Sequence, residues 1–176
     1  MKNNMPCYLL VALFAWSVSA KISRAEFVTL DVKLKTQSED HDPHQQHLKW
    51  LIVRVTNGSA NRLVGATLRW RLFAEEVGKP HHPIVIEKSG EEKLTVNGNN
   101  EYTDIITPKV TFKWTLGHSK RRGRRSSHYV AETGQRYHGY IVEVVENGKV
   151  IAEALSAESL RNIAKSMEKT KSPNVE

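Results

Sequence analysis

Val110-Thr111-Phe112-Lys113-Trp114-Thr115-Leu116 sets a large apolar side chain at every second position with a polar one between. That period of two belongs to an extended strand with one face buried and the other wetted. The same alternation runs through Val28, Leu30, Val32 and Leu34, with Thr29, Asp31 and Lys33 between, and through Leu68, Trp70 and Leu72, with Thr67, Arg69 and Arg71 between. Trp50, Leu51, Ile52, Val53 and Val55 form a nearly continuous apolar run that closes at Asn57-Gly58, which predicts a central strand covered on both faces.

Turn chemistry divides these strands. Thr36 to His47 is rich in Asp, His and Gln and reads as a loop. Pro80 and Pro83 bracket His81-His82 in a connection that cannot sit inside a sheet, and a short edge strand around Ile84 to Ile86 fits after it. Asn97-Gly98-Asn99-Asn100 is a hairpin-grade turn from which Tyr102 to Ile106 returns. Tyr140 to Val145 and Val150 to Leu155 flank Glu146-Asn147-Gly148-Lys149. A type I′ turn on Asn147 and Gly148 places Val144 opposite Ile151 and Val142 opposite Glu153, so the last strand reads as an edge. Ser156 then caps a helix whose apolar stripe is Leu160, Ile163, Ala164 and Met167. Seven or eight short strands with no helices between them, plus one terminal helix, predict an all-β antiparallel sandwich.

The first residues carry a different signal. Lys2 precedes an apolar run from Tyr8 to Trp16, which ends in Ser17-Val18-Ser19-Ala20. This is the layout of a secretory signal peptide over residues 1–20, cut ahead of Lys21. The run is about half the ~20 apolar residues that a membrane anchor needs. Cys7 precedes the apolar run rather than following it, which argues against lipidation, and cleavage removes this sole cysteine. The expected organisation is a signal peptide, one domain over residues 21–167, and a disordered tail over residues 168–176 containing Pro173. The expected compartment is outside the cytoplasm: periplasm, outer-membrane surface or medium.

Beyond that leader the chain holds 25 Lys plus Arg against 19 Asp plus Glu, a net charge of +6. Five of those cations are Lys120, Arg121, Arg122, Arg124 and Arg125, so the basic character is a patch and not a whole surface. They lie in a segment, Gly117 to Arg136, longer than the usual connection of roughly four to six residues. Two readings stand. Adjacent cations gain free energy by releasing counterions when they meet a polyanion such as a glycan, an envelope phosphate polymer or DNA. Charge runs are also commonly just solvated loops.

The run Lys49-Trp50-Leu51-Ile52-Val53-Arg54-Val55-Thr56-Asn57, the Trp70 strand and the closing hairpin from Gly139 to Ala154 together resemble bacterial immunoglobulin-like sandwich domains. The closing segment is similar to small exported proteins of Akkermansia and other Verrucomicrobia, some of them associated with pili or the cell surface. The resemblance covers roughly residues 25–155 and implies an immunoglobulin-like fold with a structural or adhesive role. It brings no catalytic residues and no cofactor. The chain lacks the long retained N-terminal helix of a pilin subunit, so an accessory or surface-associated protein making contacts with other envelope proteins fits better.

Enzyme motifs are sparse. There is no Gly-x-Ser-x-Gly elbow and no His-Glu-x-x-His. Ser127 and His128 are neighbours and Asp104 is a candidate third member of a triad, but adjacency does not supply triad geometry. A glycan hydrolase built on paired carboxylates is the competing class. His41, His44 and His47 stand three apart among carboxylates; the residue types suit a divalent ion, but Pro43 disfavours the helix that would align them, so no metal is assigned. Trp50, Trp70 and Trp114 keep step with aliphatic neighbours and read as core, the alternative being a carbohydrate platform. Asn57-Gly58-Ser59 has the form of an N-glycosylation acceptor and reads as a plain turn.

Overall fold

Alternating sequence becomes ten strands among the described residues, 27–122 and 126–171, of this computed structural model. They are β1 (Val28–His41), β2 (His44–Asn57), β3 (Leu63–Val77), β4 (Ile84–Val96), β5 (Glu101–Ile106) and β6 (Val110–Thr115), followed by β7 (His118–Arg122), β8 (Ser126–Val130), β9 (Thr133–Glu146) and β10 (Lys149–Leu155). One helix, α1 (Ser159–Lys171), follows. Residues 1–20, Arg124, Arg125 and residues 172–176 lie outside the described residues. No helix among those described is long and apolar enough to cross a membrane.

Eight strands form one antiparallel sheet in the order β1-β2-β6-β9-β3-β4, with β5 also on β2 and β10 also on β9. The sheet folds on itself into an all-β sandwich. Val53 and Val55 of β2, Leu68 and Trp70 of β3, Phe112 of β6 and Val142 and Val144 of β9 are all at most 5 % exposed and meet in one core. β6 joins the two halves: it pairs with β2 along its length and with β9 only through Trp114↔Gly134 and Thr115↔Thr133. Gly90 lies directly opposite Trp70, and a Cβ there would collide with the indole, so this glycine makes room for the largest core side chain.

Several pairings depart from the expected ones. Tyr102 to Ile106 does not return on the preceding strand; β5 pairs with β2. β5 and β6 lie end to end along β2, interrupted by Thr107-Pro108-Lys109, because Pro108 has no N–H to offer a ladder. Buried Thr107 bridges the gap: its Oγ1 accepts from the Leu51 N–H at 2.9 Å and its own N–H donates to the Leu51 carbonyl at 3.0 Å. The loop expected from Thr36 to His47 is instead an extension of the β1–β2 hairpin, paired out to His41↔His44 across Asp42-Pro43. Residues there are polar on both faces, so no alternation reveals the strand. β4 is an edge strand as expected, but it runs on to Val96.

The Asn147-Gly148 turn has the positive φ pair, 50° and 75°, of type I′. A bulge at Ile151 then shifts the register by one, so that Ala152 faces Val144 and Ala154 faces Val142. Ile151 gains a core position and Glu153 leaves the expected mismatch with Val142, facing Glu143 instead.

α1 lays Leu160 and Ala164 on Phe73 and Ile141, with Ile163 and Met167 at the margin, which is the expected stripe. Ser156 does not cap it: its hydroxyl accepts from the Tyr140 N–H at 2.9 Å and ties β10 to β9. The helix runs through Lys171, so Glu168, expected in the tail, is helical. Arg71, 17 % exposed, donates to Glu168 Oε1 at 2.7 Å and to Glu143 Oε2 at 2.8 Å. Burial works against the guanidinium charge, but the Glu168 hydrogen bond and the Glu143 charge outweigh it and raise the Arg71 pKa. Arg71→Met strands the half-buried Glu143 carboxylate and is expected to cost about 2 kcal/mol, between the cost of breaking an exposed pair and a buried one. Glu168→Gln should cost far less. Denaturant unfolding of the two variants checks the order, and equal losses would contradict it.

Candidate ligand-binding site

The long basic segment folds into an arm. β7 and β8 pair as a separate two-stranded sheet, with Lys120 opposite His128, Arg121 opposite Ser127 and Arg122 opposite Ser126. The expected loop is thus an antiparallel ribbon, with Arg124 and Arg125 of the run outside the described residues. Lys120 and His128 are exposed, as is Tyr129 at 65 %. The arm leaves the sandwich immediately after β6 and returns immediately before β9, the two strands that join its halves. Its root is pinned: the Leu116 N–H donates to the Pro43 carbonyl at 2.8 Å, and the His118 ring nitrogen lies 3.1 Å from the Leu116 carbonyl.

Beside that root is a cleft of about 430 Å³, walled by Glu39, His44, Gln45, Gln46, Lys113, Trp114, Thr115, Thr133 and Gly134. Its wall residues are neighbours across the ladders of four strands, among them Glu39↔Gln46, Gln46↔Lys113 and Thr115↔Thr133. Trp114 is half-buried, with the His47 ring edge-on to it at 4.7 Å, and lines this cleft. The Gln46 amide donates to Glu39 at 3.1 Å, and His44 Nδ1 lies 3.1 Å from Thr115 Oγ1. Gln45 and Lys113 have no side-chain partner among the described residues.

The three tryptophans therefore do not share one role. Trp70 is core, as expected. Trp114 stands at the core margin and lines the cleft, and Trp50 lies on the outer face of β2, with Lys109 4.6 Å above its ring. An uninterrupted apolar run does not say which parity faces inward. Here Leu51, Val53 and Val55 do, which sends Trp50 and Ile52 outward. On the same face Arg54 binds Asp104 through two hydrogen bonds of 2.8 Å and lies over Tyr102, 4.1 Å from the ring centre. Asp104 is thus committed to Arg54, and Ser127 and His128 are consecutive in β8.

His44 and His47 likewise sit on opposite sides of β2, since three is an odd number of strand steps. No group of three or more His, Cys, Asp or Glu placed to hold a metal occurs among the described residues. Asn57 is not a plain turn residue. It is 1 % exposed, its amide donates to the Asn61 and Val96 carbonyls, and its oxygen accepts from the Ser59 N–H and hydroxyl. Nothing in the triplet Asn57-Gly58-Ser59 marks the residue for burial; only its partners do.

Displaced pKa values lie elsewhere. Burial lowers the Lys49 ammonium, which donates to Thr36 Oγ1 at 2.9 Å and sits 4.8 Å above the Tyr137 ring. Burial pushes the Tyr137 phenol well above its ordinary value, with nearby Tyr140 adding to the rise and Ser156 offsetting a little; the hydroxyl makes no hydrogen bond of good geometry. For Glu75 burial alone would raise the pKa, but the hydrogen bond from Arg136 and its charge lower it.

No protein-family model matches the chain, and no curated protein matches it. Among solved structures the chain is similar to Northeast Structural Genomics Consortium target SoR45, with 12 % identity and a TM-score of 0.37, over 74 % of this chain and 83 % of that one.

Proposed function

We propose that this protein is a non-enzymatic exported binding module of the cell envelope or surface, gripping polyanionic polymers with the arm that carries Lys120, Arg121, Arg122, Arg124 and Arg125. The observation that carries this reading is the mounting of Lys120, Arg121 and Arg122 on β7, which pairs with β8 as a ribbon. A lone two-stranded ribbon is marginal in water, and five adjacent cations repel one another. Such a run gains little for the fold and much from a partner that neutralises it. The leader at residues 1–20 supports export, and the resemblance to exported bacterial surface proteins supports an accessory role among envelope proteins.

The test titrates purified protein with sulfated glycan, inorganic polyphosphate and single-stranded DNA at two salt concentrations. If five contacts form, affinity should fall on the order of a hundredfold between 50 and 200 mM salt. The variant with Lys120, Arg121, Arg122, Arg124 and Arg125 all changed to Gln should lose nearly all binding at both. Salt-insensitive binding, or full binding by the variant, would sink the reading.

A further inference from the structure

β4 ends the sheet: it pairs with β3 on one side and with no strand among the described residues on the other. Its free edge is a template for another extended chain, restrained by the charges along it. Glu92, Gly90 and Lys88 stand opposite the core residues Leu68, Trp70 and Leu72, so β4 carries an anion and a cation on its core-facing side with a glycine midway between them. Lys88 and Glu92 are exposed, and neither has a side-chain partner among the described residues. Charges turned inward at an edge discourage pairing with an arbitrary strand, which sets apolar or like-charged side chains against them.

One strand meets both charges with their opposites: a second β4 running antiparallel. We propose that the protein forms a two-fold symmetric dimer through β4, centred on Gly90. In that register Gly90 faces its own copy, Lys88 faces Glu92 of the second chain, and Glu92 faces Lys88, the reciprocity of every two-fold contact. On the opposite face Ser89 meets Glu91 of the second chain, and its hydroxyl donates to a carboxylate that Arg69 already holds at 2.9 Å. The backbones approach freely at the axis, because Gly90 has no side chain; the Trp70 indole takes the space of its Cβ. Shifting one chain by two residues sets Lys88 against Gly90 or Leu94 and Glu91 against Glu87 or Glu91, so the charges select the register. The ladder is short. Glu87 is an extra residue between the partners of Leu72 and Phe73, and this bulge reverses the alternation, sending Ile84 and Ile86 to the helix-side cluster and Val85 to the main core. Pairing is therefore regular over residues 88–92 and ends at Lys93, level with Glu87 of the second chain.

Sedimentation velocity over a series of protein concentrations, with no polyanion present, tests this independently of the arm. The unaltered protein should show a monomer–dimer equilibrium. Lys88→Glu gives each chain acids at both positions and Glu92→Lys gives bases at both, so each variant should dimerise about tenfold more weakly or worse. Mixed in equal amounts, the two variants should associate to within about threefold of the unaltered protein, since each carries the charges that the other lacks. That recovery also shows that neither substitution has unfolded its chain. A monomer at every concentration overturns the dimer and leaves β4 as an edge guarded by its charges. Undiminished dimers in the single variants, or no association in the mixture, overturn the pairing of Lys88 with Glu92 and with it the β4 interface.

Discussion

Phe112→Ala is expected to lower the unfolding free energy by about 4 kcal/mol, in the range measured for truncating a buried aromatic. Phe112 is fully buried on β6, the strand between the two halves of the sheet, and contacts Tyr137 of β9 edge-on at 5.5 Å. Its loss removes dispersion contacts to both halves at once. The cavity cannot close easily, because β6 is anchored to β2 along its whole length and to β9 at its end. Phe112→Leu should recover more than half of the loss, since most of the volume returns. Urea unfolding followed by tryptophan fluorescence measures both. A cost below about 1 kcal/mol for the alanine variant would mean that β6 does not unite the core as described.

Asn57→Leu keeps the volume and removes four hydrogen bonds, and should cost about 3 kcal/mol. Each buried polar group left unpaired costs roughly 1–3 kcal/mol, and the Val96 carbonyl is the one with least access to water. Asn57 holds together two segments that the chain separates widely. The turn at Gly58 to Asn61 closes over its side chain, while the Asn100 N–H donates to its carbonyl at 2.9 Å and the Asn99 N–H donates to Ser59 at 2.7 Å. Asn99 and Asn100 adopt φ of 60° and 65°, left-handed values that asparagine tolerates better than most residues. The leucine variant should therefore lose amide-exchange protection around residues 96–101 as well as global stability. An unchanged exchange profile there would show that the hub is dispensable. Ser59→Ala, which removes one hydroxyl donor but leaves its backbone bond, provides the graded control.

The two losses have different origins in the chain. Phe112 was legible as core because Val110, Phe112 and Trp114 alternate with Thr111, Lys113 and Thr115. Asn57 was legible only as a turn residue, because burial of an amide depends on carbonyls at 61 and 96 that no local pattern announces. The same division holds at the site. The arm's cations stand in the sequence as a run, but the ribbon that carries them does not: Ser119 to Arg122 and Ser126 to Tyr129 have no apolar periodicity, so backbone pairing alone defines the strands. The cleft is less legible still, since Glu39, Gln45, Lys113 and Thr133 come from four strands that only the long-range pairing β1-β2-β6-β9 sets side by side.

By itself the sequence determined the period-two strands, the Asn147-Gly148 turn, the helix stripe and hence an all-β antiparallel sandwich with one terminal helix. Each of these follows from contacts between near neighbours in the chain, where side-chain spacing and backbone preference act directly. Only the tertiary structure decided that β5 continues β6 along β2, that Trp50 faces outward, that a bulge at Ile151 resets the last register, and that the cleft opens at the root of the arm. These are choices among strand partners and parities of nearly equal local energy. They are settled by which arrangement fills the core and satisfies its hydrogen bonds.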